Sequence, residues 1–253
     1  MFPSFASLDD LKSNPSHHVL DFDEKSQKTS VSPVIAPLLP EHLDNAFETV
    51  ESAFKNDPLL LYIKAGQEWS PFRTVIYRCL WKFRRRRELR KKLAYTVNAG
   101  DAVITATATK SGSSKPSPID RAFRSLELAL LQVFVLHSEQ TKRAKELDSK
   151  SAKVVKDELG DKIQSMFYVD LLATNPEHQG HGYATALLKA VLLAADLRGC
   201  ATYLLSSNIA NVPFYESFGF VRTADVLLGD DNPKWEHPPL AVALMVRQAK
   251  SRI

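Results

Sequence analysis

The sequence predicts an α/β layer built on a mixed sheet. Three observations carry that prediction. The C-terminal third runs strand, helix, strand, helix, strand, strand, with Gly199 and Gly219 closing the two helical segments. Its strand segments are rich in β-branched and aromatic residues. Further upstream, two short β-branched runs follow two helical stripes, so strands are not confined to one end of the chain. No internal repeat interrupts this order.

Taken in order, "VIAPLL" (Val34–Leu39) reads as a first strand, and Pro37, which has no N–H to donate, asks for an edge position. "PEHLDNAFETVESAF" places Leu43, Ala46, Phe47, Val50 and Phe54 on one helical stripe, opened by Pro40 and closed before Asp57-Pro58. A second helix is expected from about Pro71 to Lys92, with Val75, Ile76, Cys79, Leu80, Phe83 and Leu89 on its apolar side. "AYTVNAG" and "AVITATA" read as two short strands, the first ending at a turn marked by Asn98, Gly100 and Asp101. "SGSSKPSP" (Ser111–Pro118) is a loop by composition. Helical patterns fill Ile119–Leu159, with a break expected near Asp148–Ser151. "MFYVDLLAT" (Met166–Thr174) is then a strand, Tyr183–Arg198 a helix, "ATYLLSS" a strand and "NVPFYESF" a short helix. "FVRTADVLL" and "PLAVALMVR" complete the pattern as strands.

Composition is that of an ordinary globular protein, 44% hydrophobic and 25% charged with a net charge of +4, too mild to point to nucleic acid by itself. Residues 1–32, rich in Ser, Lys and Asp, suit a flexible N-terminal tail ahead of a domain spanning 33–250. The first residues lack a basic segment followed by an apolar one, so no secretory signal is expected. Two cysteines, Cys79 and Cys200, are too few for a disulfide framework and fit reduced thiols in a cytoplasmic or nuclear setting. The longest apolar run, "LELALLQVFVL" (Leu126–Leu136), contains Glu127 and Gln132, and it falls short of the roughly 20 residues of a membrane-spanning helix. A buried core helix is expected there.

"NPEHQGHGYATALL" carries the chain from a strand into a helix through Gly180 and Gly182. Free N–H groups and the dipole at a helix start form an anion site, and glycine removes the Cβ atoms that would keep a phosphate from the backbone. A P-loop is excluded because no Lys-Ser or Lys-Thr pair follows the glycines. A dinucleotide fingerprint is disfavoured by Thr185, where a third glycine or alanine belongs. Gln-x-x-Gly-x-Ala, met by Gln179, Gly182 and Ala184, fits, although a plain strand-to-helix turn gives the same letters.

"SNIANVPFYESFGF" adds Asn208, Tyr215 and Gly219-Phe220 in the order and separation of a known pattern. On these two stretches, which span Met166–Val226, the chain resembles the GNAT superfamily of acyl-CoA-dependent N-acetyltransferases, and "NVPFYESFGFVRTADV" is particularly similar to the puromycin acetyltransferase branch. The resemblance implies a mixed central sheet with helices on both faces and acetyl-CoA as co-substrate. It assigns Gln179, Gly180, His181, Gly182, Tyr183 and Ala184 to the coenzyme pyrophosphate, and Leu172, Ala173 and Thr174 to pantetheine through the backbone of a splayed strand. Asn208 matches a coenzyme-contacting asparagine, and it is also placed to cap the short helix behind it. Tyr215 matches the tyrosine that protonates the departing thiolate, and it is also an aromatic beside Phe214, Phe218 and Phe220.

The implied chemistry is direct attack by a neutral amine of a small molecule on the thioester, the oxyanion being held by backbone N–H groups. Family members often carry a base nine or eleven residues before the glutamine, where Asp170 and Tyr168 stand on one strand face. Asp170 is the better candidate; Asp57, Glu51 and Asp225 remain open, as does a hydrogen-bonded structural role for Asp170. No metal is expected, because His178 and His181 lack a third ligand and His137 lies alone. The basic run "WKFRRRRELRKK" (Trp81–Lys92) reads as a solvated helix face, with a nuclear-localisation patch at Arg84–Arg87, a nucleic-acid contact, an acidic membrane or an anionic acceptor as the other readings. Two other functions stay in play: a protein or peptide N-acetyltransferase, and a non-catalytic module binding acyl-CoA or nucleic acid.

Overall fold

The computed structural model describes residues 33–66, 70–90, 92–107, 118–130, 133 and 138–250. The expected tail (1–32), most of the expected loop from Ser111, and His137 lie outside the described residues.

Strand β1 (Ile35–Pro37) is three residues long, and Pro37 sits in it as the rule for edge strands requires. A 3₁₀ turn at Pro40–His42 leads into α1 (Leu43–Ala53), whose Leu43, Ala46, Phe47 and Val50 are buried along the expected stripe. Helix α2 (Pro58–Lys64) was not expected from periodicity. It is a local product of Asp57-Pro58: Pro58 opens the helix and the Asp57 carboxylate caps it by accepting from the N–H of Leu59 and Leu60. Helix α3 (Pro71–Glu88) starts on a Ser70 cap. Strands β2 (Leu93–Val97) and β3 (Ala102–Thr107) follow as a hairpin.

Gly100, in the turn of that hairpin, has φ +126°, and a Cβ there would lie 2.8 Å from Asn45 Cβ and 2.9 Å from the Ala46 nitrogen. Gly100→Ala is therefore expected to destabilise the fold by about 2 kcal/mol, read as a lowered urea midpoint, because both the backbone region and the space are closed to a side chain.

Helix α4 (Pro118–Leu130) leaves Leu126 54% and Leu128 48% exposed, so the described part of the long apolar run is not the buried core helix expected from it. Helix α5 (Ser138–Leu159) continues straight through Asp148–Ser151, where a break was expected. Gln140 and Arg143 fasten it to α2 by donating to the carbonyls of Tyr62 and Ala65. The remaining elements are β4 (Phe167–Thr174), α6 (Tyr183–Asp196), β5 (Thr202–Ser206), α7 (Val212–Glu216), β6 (Val221–Leu228) and β7 (Leu240–Arg247).

Among the described residues the strands form one seven-stranded sheet in the order β1-β2-β3-β4-β5-β7-β6. Only β4 and β5 run parallel, which makes the sheet mixed. Alternate residues separate its faces. Ile104, Ala106, Phe167, Val169, Leu204, Ala243 and Met245 pack with α6 and α7. Val103 and Ala173 pack with α1 and α3 on the other face. Tyr203, Leu244 and Val246 meet α5 on that second face.

Two features of this frame make the site. First, β4 and β5 pair only through Phe167–Val169 and Thr202–Leu204. The register between β3 and β4 slips at Thr105/Ala106, leaving Asp170 as an extra residue, and a bulge of this kind bends its strand. Beyond it β4 stays with β3 and leaves β5, so the sheet opens into a wedge. Second, α3 lies with Trp81 and Arg85 inward; of the expected apolar side, Ile76, Leu80 and Leu89 are half-buried while Val75, Cys79 and Phe83 are exposed. The physical reason is a carboxylate: Asp170 lies 89% buried on the sheet, and a buried charge must be paired. Arg85 donates to its Oδ2 at 3.1 Å and Lys92 at 2.9 Å, with Glu88 completing the cluster. The basic run is thus not simply a solvated face.

Candidate active site

The wedge between β4 and β5 is the waist of an open cleft of about 990 Å³ that passes from one face of the sheet to the other. On the first face it is lined by the turn ahead of α6. Gly180 (φ +79°) and Gly182 (φ +76°) are both left-handed, a region that favours glycine, and Gly182 caps α6 with no side chain of its own. The first N–H groups of α6 therefore meet the cleft without a capping side chain. Neighbouring side chains brace the turn. Gln179 Nε2 donates to the Thr174 carbonyl at 3.3 Å, Asn98 Nδ2 donates to the Tyr183 hydroxyl at 3.1 Å, and His178 Nε2 lies 3.3 Å from Asp101 Oδ2.

Of the residues expected at the coenzyme site, Leu172, Ala173, Thr174, Gln179, Gly180, Gly182, Tyr183, Ala184 and Asn208 line this cleft. His181 does not; its exposed ring folds back on the turn, with Nδ1 near the carbonyls of His178 and Gln179. Thr185, which sequence reasoning passed over, does line it. Asn208 makes the anticipated cap, its Oδ1 accepting from Ala210 N–H at 3.0 Å, which leaves its Nδ2 donors unused by that bond. Three buried oxygens along the cleft have no partner among the described residues: Thr174 Oγ1, Asp170 Oδ1 and Ser151 Oγ. Each such atom costs about 1–3 kcal/mol if left unpaired, so they suit a ligand rich in polar groups, such as a pantetheine arm with its amides.

Tyr215 reaches the cleft from α7, half-buried, with its ring edge-on to Phe214 and Phe220. Burial pushes its phenol up to about 12, and no described group hydrogen-bonds its hydroxyl. Aromatic packing and a place on the cleft wall are thus combined in one side chain.

On the second face the cleft is walled by Ala53 and Phe54 at the end of α1, Leu59 and Leu60 of α2, and Leu147, Asp148 and Ser151 of α5. Its described charged lining is Asp57, Asp148 and Asp170; no described Lys or Arg lines it. Of the basic run, Arg85 and Lys92 are paired with Asp170.

The candidate bases separate on geometry. Asp170 lines the cleft, but its Oδ2 is already occupied by the Arg85 guanidinium and the Lys92 ammonium. Tyr168 also lines the cleft, with its phenol raised above the ordinary range by burial and by the Asp170 charge. Glu51 pairs with Lys64, and Asp225 pairs with Arg222 on β6; neither lines the cleft. Asp57 is 93% buried and keeps Oδ1 for the α2 cap, while Oδ2 accepts a 2.6 Å hydrogen bond from Ser207 Oγ. Both residues line the cleft, with Ser207 at the end of β5 on the far side of the wedge from β4. Ser207 was missed as a candidate because its local signal is only that of a residue before a short helix.

No group of three or more potential metal ligands occurs among the described residues. No described helix is long and apolar enough to cross a membrane.

Comparison with known proteins bears on the same region. Residues 132–222 match the model of the acetyltransferase (GNAT) domain, a span that holds β4, the glycine turn, α6, β5 and α7. An uncharacterized N-acetyltransferase of Schizosaccharomyces pombe is 30% identical over 95 residues, which are 38% of this chain and 36% of that protein. The chain thus matches about a third of that relative's length. Among solved structures, arylalkylamine N-acetyltransferase 2 of Aedes aegypti superposes with a TM-score of 0.58 at 15% identity, covering 86% of this chain and 99% of that one. A structure described as histone acetyltransferase HPA2 and related acetyltransferase, from Corynebacterium glutamicum, gives 0.53 at 17% identity, covering 88% and 99%. These two likenesses are of fold. With the domain matched over residues 132–222 and the wedge-split mixed sheet, they give the chain a GNAT acetyltransferase domain and the GNAT fold.

Proposed function

We propose that this protein transfers the acetyl group of acetyl-CoA to the amine of a small molecule whose body is apolar and whose amine arrives as a cation. The observation that carries this reading is the single cleft that joins an uncapped, glycine-built helix start to a carboxylate-lined pocket through the gap in the sheet. Coenzyme pyrophosphate is bound by backbone N–H groups from Gln179 to Thr185, and pantetheine by the open edge of β4 at Leu172–Thr174. The acceptor enters between α2 and α5, against Phe54, Leu59, Leu60 and Leu147. Asp57 and Asp148 favour an ammonium there, while Asp170 stays neutralised by its cations.

Attack requires the neutral amine. The amine gives a proton to Ser207 Oγ, which passes its own to Asp57 Oδ2 along the existing hydrogen bond. The amine nitrogen then bonds to the thioester carbon, an N–H of the open β4 edge meets the oxyanion, and the C–S bond breaks as Tyr215 gives its proton to sulfur; the second proton of the now cationic nitrogen restores the Tyr215 phenol, leaving the neutral amide and the free thiol. Small arylalkylamines fit the apolar walls, and the fold neighbour named for that substrate class supports the reading.

The test is release of free coenzyme A thiol from acetyl-CoA with a panel of amines. Turnover is expected with phenethylamine-like and long aliphatic amines, and not with amino acids carrying a free carboxylate. Equal turnover of glutamate, or turnover only of peptide N-termini, would refute the assignment.

A further inference from the structure

Helix α3 faces the wrong way for a helix that serves only its own core. Its inward face carries Tyr77, Trp81 and Arg85, and Trp81 packs edge-on to Phe47 at 5.4 Å. Its outward face carries Phe72, Val75, Cys79 and Phe83, spaced three and four residues apart so that they form one stripe about 16 Å long. Phe72 is 66% exposed, Val75 59% and Phe83 44%. Helix α4 widens the stripe: Phe123 lies 5.9 Å from Phe83, and Leu126 is exposed one turn further on. The arginines are at the rim. Arg86 and Arg90 continue the line of the stripe and are exposed, Arg121 is exposed on α4, and the Arg87 guanidinium sits 4.8 Å over the Phe123 ring.

We propose that this face is a docking surface for an anionic lipid membrane, against which α3 and α4 lie flat. A helix face with aromatic and aliphatic side chains in the middle and arginines beside them has the chemistry of an interfacial amphipathic helix. Arginine stems run along apolar surface while their guanidinium groups reach the phosphate layer, so the rim charges complement an acidic headgroup plane and not a hydrocarbon interior. Membrane docking asks nothing of the acetyl-transfer site, which lies at the wedge, and it stands or falls independently of the proposed activity.

The experiment is cosedimentation of the full chain with phosphatidylcholine vesicles, with and without phosphatidylserine. Binding is expected with the anionic vesicles and at least about tenfold weaker with the neutral ones. The double variant Phe72→Ser/Val75→Ser, which leaves the Phe83–Phe123 contact in place, is expected to weaken it about tenfold with an unchanged near-ultraviolet circular dichroism spectrum. Arg86→Glu/Arg90→Glu is expected to lose binding as much, and raised salt to mimic it. The proposal is overturned if the wild type stays in the supernatant with both vesicles, or if both double variants sediment as the wild type does. It is also overturned if the wild type is a dimer that Phe72→Ser/Val75→Ser converts to a monomer, since a second copy would then cover the stripe.

Discussion

Tyr215→Phe is expected to lower kcat for acetyl transfer by about a hundredfold to ten-thousandfold while leaving the affinity for coenzyme A unchanged. The substitution removes one hydroxyl and keeps the ring, so the contacts with Phe214 and Phe220 that hold α7 persist. What is lost is the proton for the leaving sulfur. Burial raises the phenol from 10.0 to about 12, so the group is fully protonated wherever the enzyme works. Its pH signature follows in sign: an alkaline limb set by Tyr215 falls near 12 and not at 10.0, and that limb vanishes in the variant. The check is a kcat profile against pH beside a coenzyme binding titration. Full activity in Tyr215→Phe would remove the acid role and leave the tyrosine a packing residue.

Asp57→Asn and Ser207→Ala are expected to give the second largest losses, about tenfold to a thousandfold in kcat/KM near neutral pH, with recovery as pH rises. The recovery has a definite origin. An amine that is no longer deprotonated by the Ser207–Asp57 pair must arrive neutral from solvent, and its neutral fraction grows with pH. Asparagine is chosen at 57 because its carbonyl oxygen can still accept from Leu59 and Leu60, so α2 keeps its cap and the fold its stability. Asp57→Ala would confound the two roles. A pH–rate profile shifted upward, with an unchanged melting temperature, is the expected result. An unshifted profile would move proton removal to bulk water or to Asp170. For Asp170, loss of the Arg85 and Lys92 pairing partners offers a separate check, since breaking that cluster strikes stability first.

Much of the coenzyme half of the cleft could be read in the sequence because its determinants are local. A strand, two glycines with positive φ and an apolar helix stripe occupy Phe167–Asp196 without interruption, and the turn within that stretch itself lines the cleft. The same holds for Asn208 and Tyr215, which sit on one short helical segment. Pro37 at a sheet edge is another local rule obeyed.

The acceptor half was closed to such reading, because its parts are far apart in the chain. Ser207 meets Asp57 across 150 residues, and Arg85 meets Asp170 across 85. Periodicity gave α3 an apolar side, yet a buried carboxylate on the sheet required cations and drew Arg85 inward beside Trp81. The walls from α2 and α5 depended on a two-residue cap and on clamps to distant carbonyls, neither of which leaves a periodic trace. The sequence by itself determined the glycine turn, the apolar helix behind it and the short helix that carries Tyr215, since short-range backbone geometry makes them. Only the tertiary structure decided the Ser207–Asp57 hydrogen bond, the acidic lining of the cleft and the outward stripe of α3, since charge pairing and burial act between residues that sequence order keeps apart.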